Sequence, residues 1–162
     1  EKAVRDSDIV AANTSTPTGN PEEYPYIAEE WIKPGAVISS TAALRFDDDF
    51  IMNRARIVAD NIKLYEAWEE EMKPHAYNTI PIPAVHVMDL VEEGKMKEEQ
   101  VDDLSDVLMG NIPVHRKEDE IVLYSIGGMP VEDIAWGTVV YRNALKKNIG
   151  TKLKLWDSPS MI

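Results

Sequence analysis

The chain has 162 residues, 44% of them apolar, no cysteine and a formal net charge of −12. That is enough apolar material for one domain with a core, and it excludes a disordered chain; no run of about 18 apolar residues is there to span a membrane. Acidity of this size repels phosphate backbones and argues against nucleic-acid binding.

Asp8–Ala12 is a short apolar run followed by a turn-rich stretch from Asn13 to Pro21. It reads as a buried parallel strand delivering a polar loop. Ile27–Ile32 reads as a short helix closed by Pro34-Gly35, and Ala36–Thr41 as a second buried strand. Asp47–Asn53 is predicted helical, because three consecutive Asp residues suit a helix N-terminus as caps or dipole partners. Arg56–Asp60 is a third strand. Asn61–Lys73 is a charged amphipathic helix, and Tyr77–Pro83, with Pro81 and Pro83, is loop or extended. Val85–Glu93 and Lys97–Met109 read as two helices with Gly94 between them. Gly110–Glu118 is a polar link to a β-branched strand beginning at Ile121. The chain then turns on Gly127-Gly128 and opens a long amphipathic helix from Val131 to about Lys147. Strands separated by helices predict an α/β fold, with a parallel Rossmann-like sheet carrying helices on both faces.

A strand, a glycine turn and a helix N-terminus form a common nucleotide-contacting unit. Here the order goes further. Gly128, Glu132, Asp133, Gly150, Thr151 and Lys152 follow the sequence strand, glycine turn, Glu-Asp pair, long helix and GTK tail. In this the chain resembles the ornithine cyclodeaminase and mu-crystallin family. No G-x-G-x-x-G phosphate loop occurs anywhere, although a complete dinucleotide fold needs one after its first strand. The opening EKAVRDSDIV is similar to the middle of a Rossmann domain. The resemblance thus implies the second half of a dinucleotide-binding domain over residues 1–128. Residues 129–162 would form a C-terminal helix and tail that packs on an N-terminal domain outside this chain.

The resemblance implies NAD or NADP as cofactor and hydride transfer at the C–N bond of an amino acid, imine or opine-like substrate. The full-length protein would be a homodimer. Two alternatives stay open: ornithine cyclodeamination with release of ammonia, and non-catalytic small-ligand binding of the mu-crystallin kind. The chain alone is expected to be inactive. With no cysteine and no apolar leader at the start, the expected location is cytoplasmic.

Candidate cofactor contacts follow predicted strands, where ligands bind in open α/β sheets. They are Asn13, Thr14 and Ser15 after the first strand, Ser39, Ser40 and Thr41 after the second, and Gly127, Gly128 and Met129 after the last. Small polar side chains can hydrogen-bond a ribose or a carboxamide, and bare glycine backbone can approach a flat ring. The same residues also suit ordinary turns. Arg45 is a candidate for a substrate carboxylate, which a guanidinium grips bidentately. No catalytic residue is assigned. Counting from Pro34-Gly35-Ala36, the proton-transferring Asp of cyclodeaminases falls on Leu44, which cannot exchange a proton. His75, His86 and His115 lack metal-ligand spacing, so no metal is expected. His115-Arg116 falls near an arginine common in the family's link. The four tryptophans read as packing or interface residues.

Overall fold

The computed structural model describes residues 1–15, 19–114 and 117–154. His115, Arg116 and Trp156, considered above, lie outside them. The chain divides into two compact units, residues 1–127 and 128–162.

The first unit is built on five strands: β1 Ile9–Ala12, β2 Val37–Ser40, β3 Ala55–Ala59, β4 Val101–Asp103 and β5 Ile121–Ser125. They lie in the order β1-β2-β5-β3-β4, and every pair is parallel. The last strand therefore fills the middle of the sheet. In β3 the adjacent residues Ile57 and Val58 are both buried, as are Val122 and Leu123 in β5. Successive strand residues point to opposite faces, so both faces of the sheet centre are covered. Right-handed crossovers account for this. By the right-handed rule, connections running from β1 toward β4 belong on one face and the return from β4 to β5 on the other.

The core ladder is formed by Ile38, Leu123 and Ile57, which sit in register on β2, β5 and β3. Each is at most 1% exposed, and burying each side chain stabilises the fold by about 1.5–3 kcal/mol. Helix α1 spans Ile62–Glu71 and packs on α2, Pro83–Glu92. Pro83 suits the first turn of α2, where its missing N–H is no loss. The next amide, Ala84, donates to the Ser125 hydroxyl at 2.9 Å, which ties the helix start to the end of β5. A tight turn at Ala76–Asn78 is held by Asp89, whose carboxylate accepts from the Ala76 and Tyr77 amides at 2.9 and 3.0 Å.

The structure corrects three expectations. Lys97–Met109 is not one helix. A short turn at Glu98–Gln100 leads into β4, and helix α3 begins only at Leu104 and runs to Leu108. Asp103 ends the strand and caps α3 by accepting from the Ser105 amide, while Asp102 is buried against Arg56. Ile27–Ile32 shrinks to one 3₁₀ turn at Glu29–Trp31. The helical turn after the Asp triplet is wide, of π type, at Phe50–Arg54, and Asp49 makes no side-chain cap there. Asp49 accepts from Asn53, Asp47 from the Tyr26 hydroxyl, and Asp48 is paired with His86.

The second unit consists chiefly of α4, Pro130–Lys147, with Glu132 and Asp133 in its first turn and Lys146 and Lys147 in its last. Both ends complement the helix dipole. Asn148, in the left-handed conformation, stops it. No helix among the described residues is long and apolar enough to cross a membrane.

Candidate cofactor site

Because every strand is parallel, all C-terminal ends share one edge of the sheet, the edge where open α/β sheets bind ligands. There the chain leaves β1 at Asn13, β2 at Thr41, β3 at Asp60 and β5 at Ile126-Gly127. The loops after β1 and β2 are joined directly. The Thr41 hydroxyl donates to the side-chain oxygen of Asn13, and the Thr41 amide donates to the Ala12 carbonyl at 3.1 Å. Asn13, Thr14, Ser15 and Thr41 are exposed, and Ser39 is half-buried. Ser40 is fully buried, and its hydroxyl donates to the Ala42 carbonyl at 2.8 Å. Its own carbonyl accepts from the Ile126 amide at 2.8 Å, which ties the end of β2 to β5 beside it.

Gly127 closes the first unit. Its amide donates to the Asp60 carboxylate at 3.1 Å. The other Asp60 oxygen accepts from the Tyr65 hydroxyl at 2.5 Å and from the Asn61 amide at 3.0 Å. Sequence reasoning misses this group, since the pattern shows Asp60 only as the end of a strand and Tyr65 only as part of a helix. An acid at the C-terminal end of a buried strand is the signal that could have found it. Gly128 begins the second unit at φ +82°, a conformation that favours glycine, and Met129 precedes α4.

Burial, then the hydrogen bond to Asp60 and its charge, push the Tyr65 phenol far above its ordinary value. It is a donor throughout the physiological range. The sign of the stability effect follows. The unfolded phenol ionises near 10.0, so above that pH the unfolded state holds fewer protons and stability falls. The Tyr65 contribution is complete below that pH and is lost as the pH climbs toward the folded value. Replacing Tyr65 by Phe should flatten the alkaline decline in melting temperature between about pH 9.5 and 11. An unchanged slope would contradict this account.

Arg45 does not join the sheet-edge group. It lines a separate cavity of about 280 Å³ with His75, Tyr77, His86, Asp89 and Glu93, and none of the cofactor candidates lines that cavity. Its guanidinium lies 4.8 Å from the Tyr26 ring centroid and 3.5 Å from Glu22. Leu44 is buried in the core, and its carbonyl accepts from Tyr77 at 2.5 Å. Among the described residues no cluster of three or more His, Asp or Glu side chains could hold a metal ion.

The ornithine cyclodeaminase/mu-crystallin family model matches residues 1–148. Over 157 residues the chain is 28% identical to N-((2S)-2-amino-2-carboxyethyl)-L-glutamate dehydrogenase of Staphylococcus aureus, covering 96% of this chain and 40% of that protein. It is 25% identical over 143 residues to alanine dehydrogenase of Archaeoglobus fulgidus, covering 86% of this chain and 40% of that one. Among solved structures it is similar to an archaeal alanine dehydrogenase dimer with bound NAD, at a TM-score of 0.58 and 26% identity, covering 92% of this chain and 41% of that one. The chain thus spans about two fifths of the length of the relatives it matches.

Proposed function

The chain belongs to the ornithine cyclodeaminase/mu-crystallin family, and we propose that it forms one wall of the cofactor cleft of an NAD(P)-dependent dehydrogenase. The enzyme would act on the C–N bond of an amino acid, imine or opine-like substrate. The observation that carries this reading is the joined Asn13–Thr41 loop pair standing with Gly127 on the C-terminal edge of an all-parallel sheet. The relatives' names support it, since both similar proteins are amino-acid dehydrogenases and the similar structure is a dimer that holds NAD.

The residues suit the nicotinamide and ribose end of a dinucleotide. Asn13, Thr14, Ser15, Ser39 and Thr41 offer short polar side chains, and the buried Ser40 ties the end of β2 to β5. Gly127 and Gly128 offer backbone without a Cβ, and Met129 an apolar contact. The pyrophosphate end needs a glycine-rich loop, which this sequence does not contain. When bound, the dinucleotide supplies the two-electron chemistry; the chain's own part is to orient the ring and keep water from it. We assign residues 129–162 to packing on an N-terminal domain outside this chain, and the full-length protein to a cytoplasmic homodimer.

Leu44 separates this from the cyclodeaminase alternative. Its side chain is buried and has no exchangeable proton, so no group stands at that position to shuttle protons during loss of ammonia. The test follows nicotinamide absorbance while the full-length protein is offered amino acids, or imines with reduced cofactor. A dehydrogenase changes the absorbance in proportion to substrate consumed. Ammonia released from ornithine with no net absorbance change would establish the alternative instead.

A further inference from the structure

We propose that Asp60 is a positioning residue for the nicotinamide end of the cofactor, its buried carboxylate fixing the peptide that carries the Gly127 amide; this rests on the dehydrogenase reading above. Asp60 is 4% exposed, at the end of β3 beside β5. Its oxygens accept from the Gly127 amide, the Asn61 amide and the Tyr65 hydroxyl. The Gly127 bond points one peptide inward. That peptide is trans, so the Ile126 carbonyl points the opposite way, away from Asp60. Because β5 lies between β3 and β2, that carbonyl faces the β2 side, the side of the Asn13–Thr41 loop pair, where it is suited to accept from the amide donor of a carboxamide.

A second constraint falls on the same peptide. A Cβ on Gly127 would stand 2.9 Å from the Tyr65 hydroxyl oxygen and 3.2 Å from the Trp68 ring. The tyrosine that steadies the carboxylate thus also keeps the turn free of a side chain. Tyr65 is itself fully buried, and Trp68 packs edge-on against it with centroids 5.6 Å apart. Asp60 therefore fixes the direction of the Gly127 amide, and helix α1 fixes the closeness of its backbone to the helix. Stability alone gives little reason for the arrangement. A buried carboxylate carries a desolvation cost that a neutral side chain bonding the same amide would avoid.

The experiment measures binding of NADH and of ADP-ribose, which lacks the nicotinamide, to the full-length protein. Asp60→Ala should weaken NADH about tenfold, the scale of one charge-assisted hydrogen bond, and leave ADP-ribose unchanged. Tyr65→Phe keeps the ring and its packing, so it serves if Asp60→Ala does not fold; it should shift NADH the same way by less. Asp60→Asn retains an oxygen for the Gly127 amide and should recover most of the affinity. Equal weakening of both ligands, or of neither, with wild type binding both, would overturn the positioning role and leave the dehydrogenase reading standing. A wild-type protein that binds neither ligand would overturn both.

Discussion

Replacing Arg56 by Ala is expected to destabilise the protein by about 3–5 kcal/mol, the scale for breaking a buried ion pair. The side chain is 3% exposed and sits where three segments meet. Its Nε donates to Asp102 of the edge strand β4 at 2.7 Å. One Nη donates to the Val114 carbonyl at 2.7 Å and to Glu120 at 3.4 Å, and the other to the Pro113 carbonyl at 2.9 Å. One planar fork thus ties β3 to a three-residue strand, to the link after α3 and to the residue before β5. Alanine removes the guanidinium from two largely buried carboxylates and two carbonyls at once. Lysine should recover little, because a point charge cannot serve acceptors spread around a plane. Arg56→Met with Asp102→Leu should cost much less than Arg56→Ala, since the carboxylate that needs the cation goes too. Denaturant unfolding measures all three. A loss under about 1 kcal/mol for Arg56→Ala would mean the cluster behaves like a surface pair.

That cluster also shows where the sequence stops being readable. Strands β1, β2, β3 and β5 announce themselves locally, as in Ile-Val-Ala-Ala or Ile-Val-Leu-Tyr, because β-branched and small apolar residues suit a buried pleat. Val101-Asp102-Asp103 carries two acids, which strands disfavour, and nothing beside it names the partner. The partner is Arg56, 46 positions earlier. Only the assembled sheet brings them together, so a window covering Lys97–Met109 sees a helix. The site divides in the same way. Asn13, Thr41 and Gly127 could be placed by one rule, that residues following parallel strands share an edge. The same rule puts Asp60 on that edge, but its role and that of Tyr65 come from hydrogen bonds that only the folded sheet and α1 bring together. The Arg45 guanidinium suits a substrate carboxylate by its chemistry, yet the loop carries it over Tyr26 into a different cavity.

The chain expressed by itself is expected to self-associate and to bind dinucleotide weakly. The first reason is α4, in which no residue is buried. Its apolar residues fall on two sides of the helix. Val131, Ile134, Tyr141 and Leu145 form one stripe, and Trp136, Val139 and Val140 another. Ile134, Trp136 and Tyr141 are 69%, 71% and 65% exposed. A helix apolar on more than one side belongs inside a larger assembly, and an 18-residue helix gains little stability from its own backbone. The second reason is β1. It stands at one end of the sheet, and Ile9 is 70% exposed on a strand of four apolar residues. A strand of that kind at a sheet edge is a template for pairing with another chain. Each Å² of apolar surface left wet forgoes roughly 25 cal/mol, so a few hundred Å² approach the whole stability of a domain, about 5–15 kcal/mol. Light scattering on residues 1–162 should therefore show oligomers at micromolar concentration. Ile134→Lys with Tyr141→Lys should shift them toward monomer, because the two lie on one stripe. The affinity for NADH should fall well below that of the full-length protein, since no glycine-rich loop is present to hold the pyrophosphate. A monomer that melts cooperatively and binds NADH at micromolar affinity would show instead that these 162 residues need no further surface to work.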